Sequence, residues 1–226
     1  MKVTLLFAIA AVAFAQQAPV KIVLVGDSTV NDQGGWGPGF RESFKNVEVV
    51  NLAKNGRSTK SFRDEGTWKL ALDSRPNYVL IQFGHNDVPG KGADRETDAG
   101  TTYRENLVRF IDEARAIGAE PVLVTSIVRR NFGADGKIKA DSLVPYVAAV
   151  KVVAAEKRVA VMDMYARTME HAERLGPEGN AEIDARDAEG KRDHTHLGAR
   201  GRAEIGAIAA GEFVGAVPGM GIYLVK

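Results

Sequence analysis

Five short apolar segments recur along the chain, and each is rich in valine, isoleucine or leucine. They cover residues 21–25, 47–52, 78–83, 121–128 and 158–164. Each segment is almost continuously apolar rather than alternating, which is typical of strands that are covered on both faces. The pattern therefore predicts five β-strands inside the molecule.

Longer segments with helical spacing of their apolar positions lie between the later strands. Residues 101–118 place six apolar side chains on one stripe, namely Tyr103, Leu107, Phe110, Ile111, Ala114 and Ile117. Two further helices are predicted over residues 141–158 and 198–216. The polar segment 176–194 is predicted to be a long surface loop.

The alternation of strands and helices predicts an α/β fold with a parallel sheet. The chain has 226 residues, 45% of them hydrophobic, which suffices for one core and one domain. Ligands of open parallel sheets gather at the carboxyl ends of the strands. Polar clusters follow the first three strands at residues 26–28, 55–57 and 84–87, so we expect them to share one rim of the sheet.

The first 15 residues have the order of regions found in a secretory signal peptide. Lys2 precedes an apolar run from Val3 to Ala13, and Ala13-Phe14-Ala15 fits a signal-peptidase site. The run is short for a membrane span. We therefore expect residues 1–15 to be removed, and residues 16–226 to form a single domain that is secreted or periplasmic and free of the membrane.

Charge and composition narrow the classes of partner. The chain has 30 basic and 29 acidic side chains, a net charge of +1, without a basic stripe, so nucleic acid is not an expected partner. It has no cysteine, which excludes disulfides, a thiol nucleophile and zinc bound by cysteine. We expect a monomer.

Candidate chemistry begins with Ser28, which follows the first predicted strand. Asp193 and His196 are three residues apart, a spacing that lets side chains meet in a turn or a first helical turn. Asp193 could then orient His196, and His196 could take the proton of Ser28. The backbone N–H groups of Ser28 and Gly56 and the side-chain amide of Asn86 could stabilise an oxyanion. Spacing alone leaves both arrangements open.

Four blocks stand in order along the chain: Gly26-Asp27-Ser28-Thr29, Gly56, GHND with Asn86, and Asp193-x-x-His196. Together they resemble the SGNH (GDSL) hydrolase superfamily. The stretches KNGRSTKSF, QFGHND, PVLVTSIVRRNF and DHTHLGARG are similar to its rhamnogalacturonan acetylesterase branch. The resemblance implies a flavodoxin-like three-layer α/β/α sandwich with a five-stranded parallel sheet.

The same resemblance implies a role for each block residue. Ser28 is the implied nucleophile, His196 the base and Asp193 the orienting acid, while Ser28, Gly56 and Asn86 are the implied oxyanion donors. No metal and no other cofactor is implied, and the implied substrate is an acetylated plant-type polysaccharide or oligosaccharide such as rhamnogalacturonan. Segment 176–192 is charged and lacks the aromatic residues often found there in that branch, so the sugar preference stays open.

Two further residues are candidates for substrate binding. Trp36 follows the Ser28 loop and is predicted either to form a sugar-stacking wall or to be a core aromatic. Arg57 is predicted either to contact an acidic polysaccharide or to lie on a solvated face.

Three other functions stay open. The same triad could act on longer acyl esters or thioesters, and the fold could serve a non-catalytic carbohydrate-binding protein. A two-metal phosphoesterase could use five polar residues, although the first strand lacks the histidine expected for that class: Asp27, His85, Asp87, His194 and His196.

Overall fold

The computed structural model describes residues 19–225, and the predicted signal peptide at residues 1–15 lies outside them. Five strands form the central sheet: β1 (Val20–Gly26), β2 (Val47–Asn51), β3 (Tyr78–Gln82), β4 (Glu120–Val124) and β5 (Ala160–Met162). All neighbouring pairs are parallel, and the strand order is β2-β1-β3-β4-β5. This is the flavodoxin-like order, so the predicted α/β class is confirmed.

Helices connect the strands and cover both faces of the sheet. They are α1 (Gly37–Glu42), α2 (Thr59–Asp64), α3 (Thr67–Asp73), α4 (Thr102–Ala116), α5 (Val144–Lys157), α6 (Met164–Ile183) and α7 (Ala199–Ala216), followed by a short 3-10 helix (Pro218–Tyr223). Within residues 19–225, none of them is both long enough and apolar enough to cross a bilayer.

The strands alternate their side chains between two cores, because successive residues of a strand point to opposite faces. On β1, Val23 and Val25 pack against the layer formed by α2 to α5, whereas Ile22 and Leu24 pack against the layer of α1 and α7. All four side chains are fully buried. The apolar strands therefore form the middle layer of a three-layer sandwich.

Two predicted strands are shorter in the structure. The fourth ends at Val124 rather than at residue 128, and the fifth covers only three residues. Asp163 follows β5 directly and caps α6, because its side chain accepts a hydrogen bond from the N–H of Ala166 in the first turn of that helix. The last sheet hydrogen bond in this region runs from Thr125 to the carbonyl of Met162, so β4 has no partner strand beyond that point.

The predicted surface loop at 176–194 is wrong. Helix α6 continues to Ile183 across a kink at Gly176, and an antiparallel hairpin follows, formed by β6 (Asp184–Arg186) and β7 (Arg192–Leu197). Pro177 does not end the helix, because proline is tolerated in a first helical turn and α6 restarts there. The side chain of Asn180 donates to the carbonyls of Ala172 and Gly176 and joins the two parts of the helix.

Candidate active site

The loop after β1 presents Ser28 at the carboxyl edge of the sheet. Asp27 is fully buried, and its Oδ1 accepts hydrogen bonds from the N–H of Thr29 at 2.8 Å and from the hydroxyl of Thr29 at 2.7 Å. Burial raises the pKa of the Asp27 carboxyl. The loop is thus fixed from within, while Ser28 itself stays partly exposed.

Trp36 supports this loop from the core, and its prediction as a sugar-stacking wall is wrong. The side chain is 0% exposed and packs edge-on against Phe40. Its Nε1 donates to Oε1 of Gln82 at 2.8 Å, and Nε2 of Gln82 donates to the hydroxyl of Thr29 at 2.7 Å. Trp36 therefore holds the loop in place from below the sheet edge and has no surface to offer a sugar.

Ser28, His196 and Asp193 are in direct contact, although 168 residues separate the first two. His196 Nε2 lies 2.7 Å from Ser28 Oγ, and His196 Nδ1 lies 2.6 Å from Asp193 Oδ2. Asp193 Oδ1 also accepts hydrogen bonds from the backbone N–H groups of Thr195 and His196. The structure thus brings into contact three residues that the sequence showed only as separate blocks in the expected order.

The protonation of Asp193 decides which ring nitrogen of His196 carries the proton. Partial burial raises the pKa of Asp193, but the hydrogen bonds from the His196 ring and from the N–H groups of Thr195 and His196 outweigh it and lower the pKa to about 2. An ionised carboxylate only accepts hydrogen bonds, so Nδ1 of His196 bears the proton. Nε2 is then free to accept the hydroxyl proton of Ser28.

The side chains of Asp193 and His196 meet as their spacing allowed, but they lie on strand β7 and not in a helical turn. Residues three apart on a regular strand face opposite ways, but the hairpin has a register shift at Asp184 and Ala185 that makes its pairing irregular. The His196 ring also packs against Gly34, where an added Cβ would lie 3.3 Å from its Cδ2. Glycine at position 34 thus leaves room for the ring.

A buried ion pair lies beneath this hairpin. Arg130 and Asp184 are 3% and 0% exposed, and the Nε of Arg130 donates to Asp184 Oδ1. The same guanidinium donates to the carbonyl of His196 at 2.7 Å. Sequence reasoning missed both residues. The only signal in the sequence was that two arginines, Arg129 and Arg130, directly follow the fourth predicted strand.

The oxyanion donors predicted after β2 and β3 lie in adjoining loops. Gly56 has a φ of 75°, a left-handed conformation that favours glycine. Asn86 is buried, and its Nδ2 donates to the carbonyl of Arg57 at 3.2 Å, which ties the two loops together. Within residues 19–225, the backbone N–H groups of Ser28 and Gly56 have no acceptor. Both remain available to a ligand.

Asp87 connects the Asn86 loop to the start of α2. Its Oδ1 accepts hydrogen bonds from the N–H of Thr59 at 3.0 Å and from the hydroxyls of Thr59 and Thr97. Burial raises the pKa of Asp87 to about 7, because these hydroxyl and amide donors only partly offset the loss of water.

Arg57 is already engaged within the protein. Its Nε lies 2.9 Å from Glu65 Oε2, and its Nη1 donates to the carbonyl of Asn55 at 2.8 Å. The side chain is 37% exposed. Its contact with an acidic polysaccharide therefore stays a prediction.

The five polar residues of the metal hypothesis have separate partners. His85 Nε2 donates to the carbonyl of Ile127, 3.1 Å away, and burial lowers the pKa of His85 to about 3. His194 contacts Asp184 rather than His196. In the part of the chain that the structure describes, no three histidine or acidic side chains converge as they would around a metal ion.

The four sequence blocks that form this site also lie within the part of the chain that matches a known protein family. Residues 24–203 match the GDSL-like Lipase/Acylhydrolase family. The chain belongs to this family. The match covers all the block residues from Ser28 to His196.

Individual relatives agree with the family. The chain is 36% identical over 210 residues to a rhamnogalacturonan acetylesterase of Bacillus subtilis strain 168, with 85% of this chain and 88% of the relative covered. Family membership and this acetylesterase relative make the protein a serine ester hydrolase.

Solved structures share the fold. The Bacillus subtilis protein YXIM superposes with a TM-score of 0.76 at 22% identity, covering 90% of this chain and 58% of that one, so the chain spans little more than half of it. A catalytic mutant of an acetylxylan esterase from Geobacillus stearothermophilus superposes with a TM-score of 0.66 at 17% identity, covering 92% and 97% of the two chains.

Proposed function

We propose that the protein is a secreted carbohydrate esterase that removes O-acetyl groups from a plant-type polysaccharide such as rhamnogalacturonan. The observation that carries the proposal is the pair of contacts at His196, 2.7 Å to the Ser28 hydroxyl and 2.6 Å to the Asp193 carboxylate. This is the hydrogen-bonded sequence of groups that activates a serine for acyl transfer.

The reaction begins when Ser28 Oγ attacks the acetyl carbonyl and His196 Nε2 accepts the hydroxyl proton. Asp193 stabilises the imidazolium that forms, because its carboxylate stays ionised. The tetrahedral intermediate collapses, and His196 returns the proton to the departing sugar hydroxyl. A water molecule, activated by the same imidazole, then releases acetate from Ser28.

Three donors support the intermediate in this scheme. The free N–H groups of Ser28 and Gly56 and the amide of Asn86 lie on neighbouring loops that are tied to one another. Removing one such donor typically costs about 3–4 kcal/mol of transition-state stabilisation. We therefore assign these groups to the oxyanion hole.

The substrate class rests on the relatives. The Bacillus subtilis relative acts on rhamnogalacturonan by its name, and 36% identity over most of both chains supports a related acetylated carbohydrate here. The secreted or periplasmic location rests on the pattern of residues 1–15, and the monomeric state stays a proposal.

Acetate release from a panel of acetylated pectin, rhamnogalacturonan and xylan tests the proposal. We expect the highest rate on a pectic substrate, and a preference for acetyl over octanoyl among aryl esters. Fastest turnover of octanoyl esters, or acetate from no polysaccharide, would contradict it.

Ser28→Ala tests the chemistry itself. We expect kcat on an aryl acetate to fall at least about 10³-fold, while the circular dichroism spectrum stays unchanged. The matched control is Ser74→Ala, at the end of α3 and outside the site, which keeps wild-type turnover. If the Ser28→Ala protein also kept wild-type turnover, the assignment of Ser28 as the nucleophile would be contradicted.

A further inference from the structure

A second cleft lies beside the active site, along the strand that carries His196. It has a volume of about 520 Å³ and is bounded by β7, by the segment after β4 and by the loop before α5. His194 and Arg192 line it, two and four residues before His196. Both residues share β7 with His196, so a substrate chain that extends from an ester at Ser28 along this strand leads toward the cleft.

Positive charge is concentrated in this cleft. Its lining includes three permanent cations, Arg130, Lys139 and Arg192, while its one acidic side chain among the described residues is Asp141. Arg130 and Arg192 also share the buried Asp184 behind the lining, which offsets one of these three charges. Asp141 is already bound by Arg129 at 2.8 Å. The cleft is therefore cationic, although the chain as a whole carries a net charge of only +1.

Arg192 is positioned before any ligand arrives. Its Nε and Nη2 donate to Asp184 at 3.1 and 2.8 Å, and Nη2 also donates to the carbonyl of Pro177. Its Nη1 has no acceptor within residues 19–225, and the side chain is 27% exposed. A guanidinium fixed in this way loses little conformational freedom when it binds a carboxylate.

Two other lining residues complete the surface. Lys139 is exposed and makes no ion pair with any residue that the structure describes. Phe132 is half-buried and presents an apolar surface beside these cations. A sugar ring with an apolar face and a carboxylate on one edge matches this combination.

We propose that this cleft, which we call the cationic cleft and define by Phe132, Lys139, Arg192 and His194, binds the carboxylate of a uronic acid residue in the substrate chain. The inference rests on the proposed function and assigns recognition of the substrate's carboxylates to this cleft. Neutral acetylated chains then bind through the remaining contacts alone.

The kinetic test uses an acetylated uronate-containing oligosaccharide and the same oligosaccharide after its carboxylates are reduced to alcohols. We expect the wild type to have a KM lower for the acidic form by on the order of tenfold. Lys139→Glu should abolish that difference between the two KM values. The variant's turnover of an aryl acetate, which has no carboxylate, serves as the reference for an intact active site. Added salt should also reduce the difference in the wild type.

The matched control is Lys137→Glu. Lys137 lies on the same loop, but its Nζ contacts Glu173 and the residue does not line the cleft. We expect this variant to keep the wild-type preference for the acidic form. Equal KM values for both forms in the wild type, or equal effects of the two lysine substitutions, would overturn the inference.

A binding measurement separates this inference from the proposed function. Calorimetry with an unacetylated oligogalacturonate should detect binding to the Ser28→Ala protein, and Lys139→Glu in that background should remove it. If no polysaccharide releases acetate but this binding persists, the proposed function fails and the uronate site stands. If acetate is released but Lys139→Glu binds the oligogalacturonate as well as its parent, the uronate site fails alone.

Discussion

The active site has two halves that are held by different forces. Ser28 follows a strand of the parallel sheet, and the proposed oxyanion donors Gly56 and Asn86 follow the two neighbouring strands, all of them above apolar cores. Asp193 and His196 lie on the hairpin β6–β7, outside that sheet. The hairpin is fixed by the buried pair of Arg130 and Asp184.

This difference makes the two halves unequally sensitive to substitution. Apolar packing is not directional, and volume-conserving exchanges are tolerated at low cost. A buried ion pair that loses one partner leaves an uncompensated charge. The loop of Ser28 thus combines many apolar contacts with hydrogen bonds among Asp27, Thr29 and Gln82. The position of His196 depends instead on one buried ion pair beneath the hairpin.

Arg130→Met tests that dependence and should have the largest effect. We expect the free energy of unfolding to fall by about 3 kcal/mol, because Asp184 keeps only Arg192 and His194 as partners. We expect kcat to fall on the order of 100-fold, because the carbonyl of His196 loses its donor and small displacements are costly at a reacting group. Urea unfolding and aryl acetate turnover measure the two effects.

The matched control is Arg129→Met, at the neighbouring position. Arg129 pairs with Asp141, both side chains are partly exposed, and the pair does not touch β7. We expect a loss of about 1 kcal/mol or less, with kcat near the wild-type value. If Arg130→Met matched this control in both measurements, the hairpin would not depend on its buried pair.

The sheet half contains a different kind of buried carboxyl, Asp87, whose partners are hydroxyl and amide groups rather than a cation. The folded-state pKa of Asp87 is about 7, above the ordinary value of 3.8, so the folded protein keeps a proton that the unfolded chain loses. This group therefore lowers the free energy of unfolding as pH rises from about 4 to 7, by up to ~1.4 kcal/mol per pH unit. Below that window it has no effect, and above it the loss is constant.

Asp87→Asn cannot titrate, so it should flatten the stability profile over this window. Urea unfolding between pH 4 and 8 measures the slope, and Asp73→Asn, at an exposed position on α3, is the control. Part of the slope should remain, because burial also raises the pKa of Asp27. Identical slopes for the wild type and Asp87→Asn would contradict the assigned shift.

The sequence predicts the sheet half well, because its signals are local. Continuous apolar runs identified all five strands within a few residues at their starts, and turn residues such as Ser28 and Gly56 follow a few residues after the strands end. The helical stripe of 101–118 is confirmed, with Tyr103, Leu107 and Phe110 buried. Each of these patterns arises within a single strand, turn or helix, from residues close together in the sequence.

The hairpin half could not be predicted in the same way. Arg130 and Asp184 are 54 residues apart, and nothing local pairs them. The segment 176–194 looked like a loop because it is polar, but its Asp184 is buried and pairs with Arg130 and Arg192. The sequence left Trp36 open between a core aromatic and a sugar-stacking wall, and its burial decides for the core, where its partner Gln82 lies on another strand.

Labelling with a fluorophosphonate tests the central claim most directly, because the reagent reacts with a serine that a neighbouring base activates. Intact mass and peptide mapping should show one adduct, on Ser28. His196→Ala should slow labelling at least about 100-fold, while His171→Ala, on α6 and bound to Glu204, keeps the wild-type rate. An adduct on another residue, or wild-type labelling of the His196→Ala protein, would contradict the account.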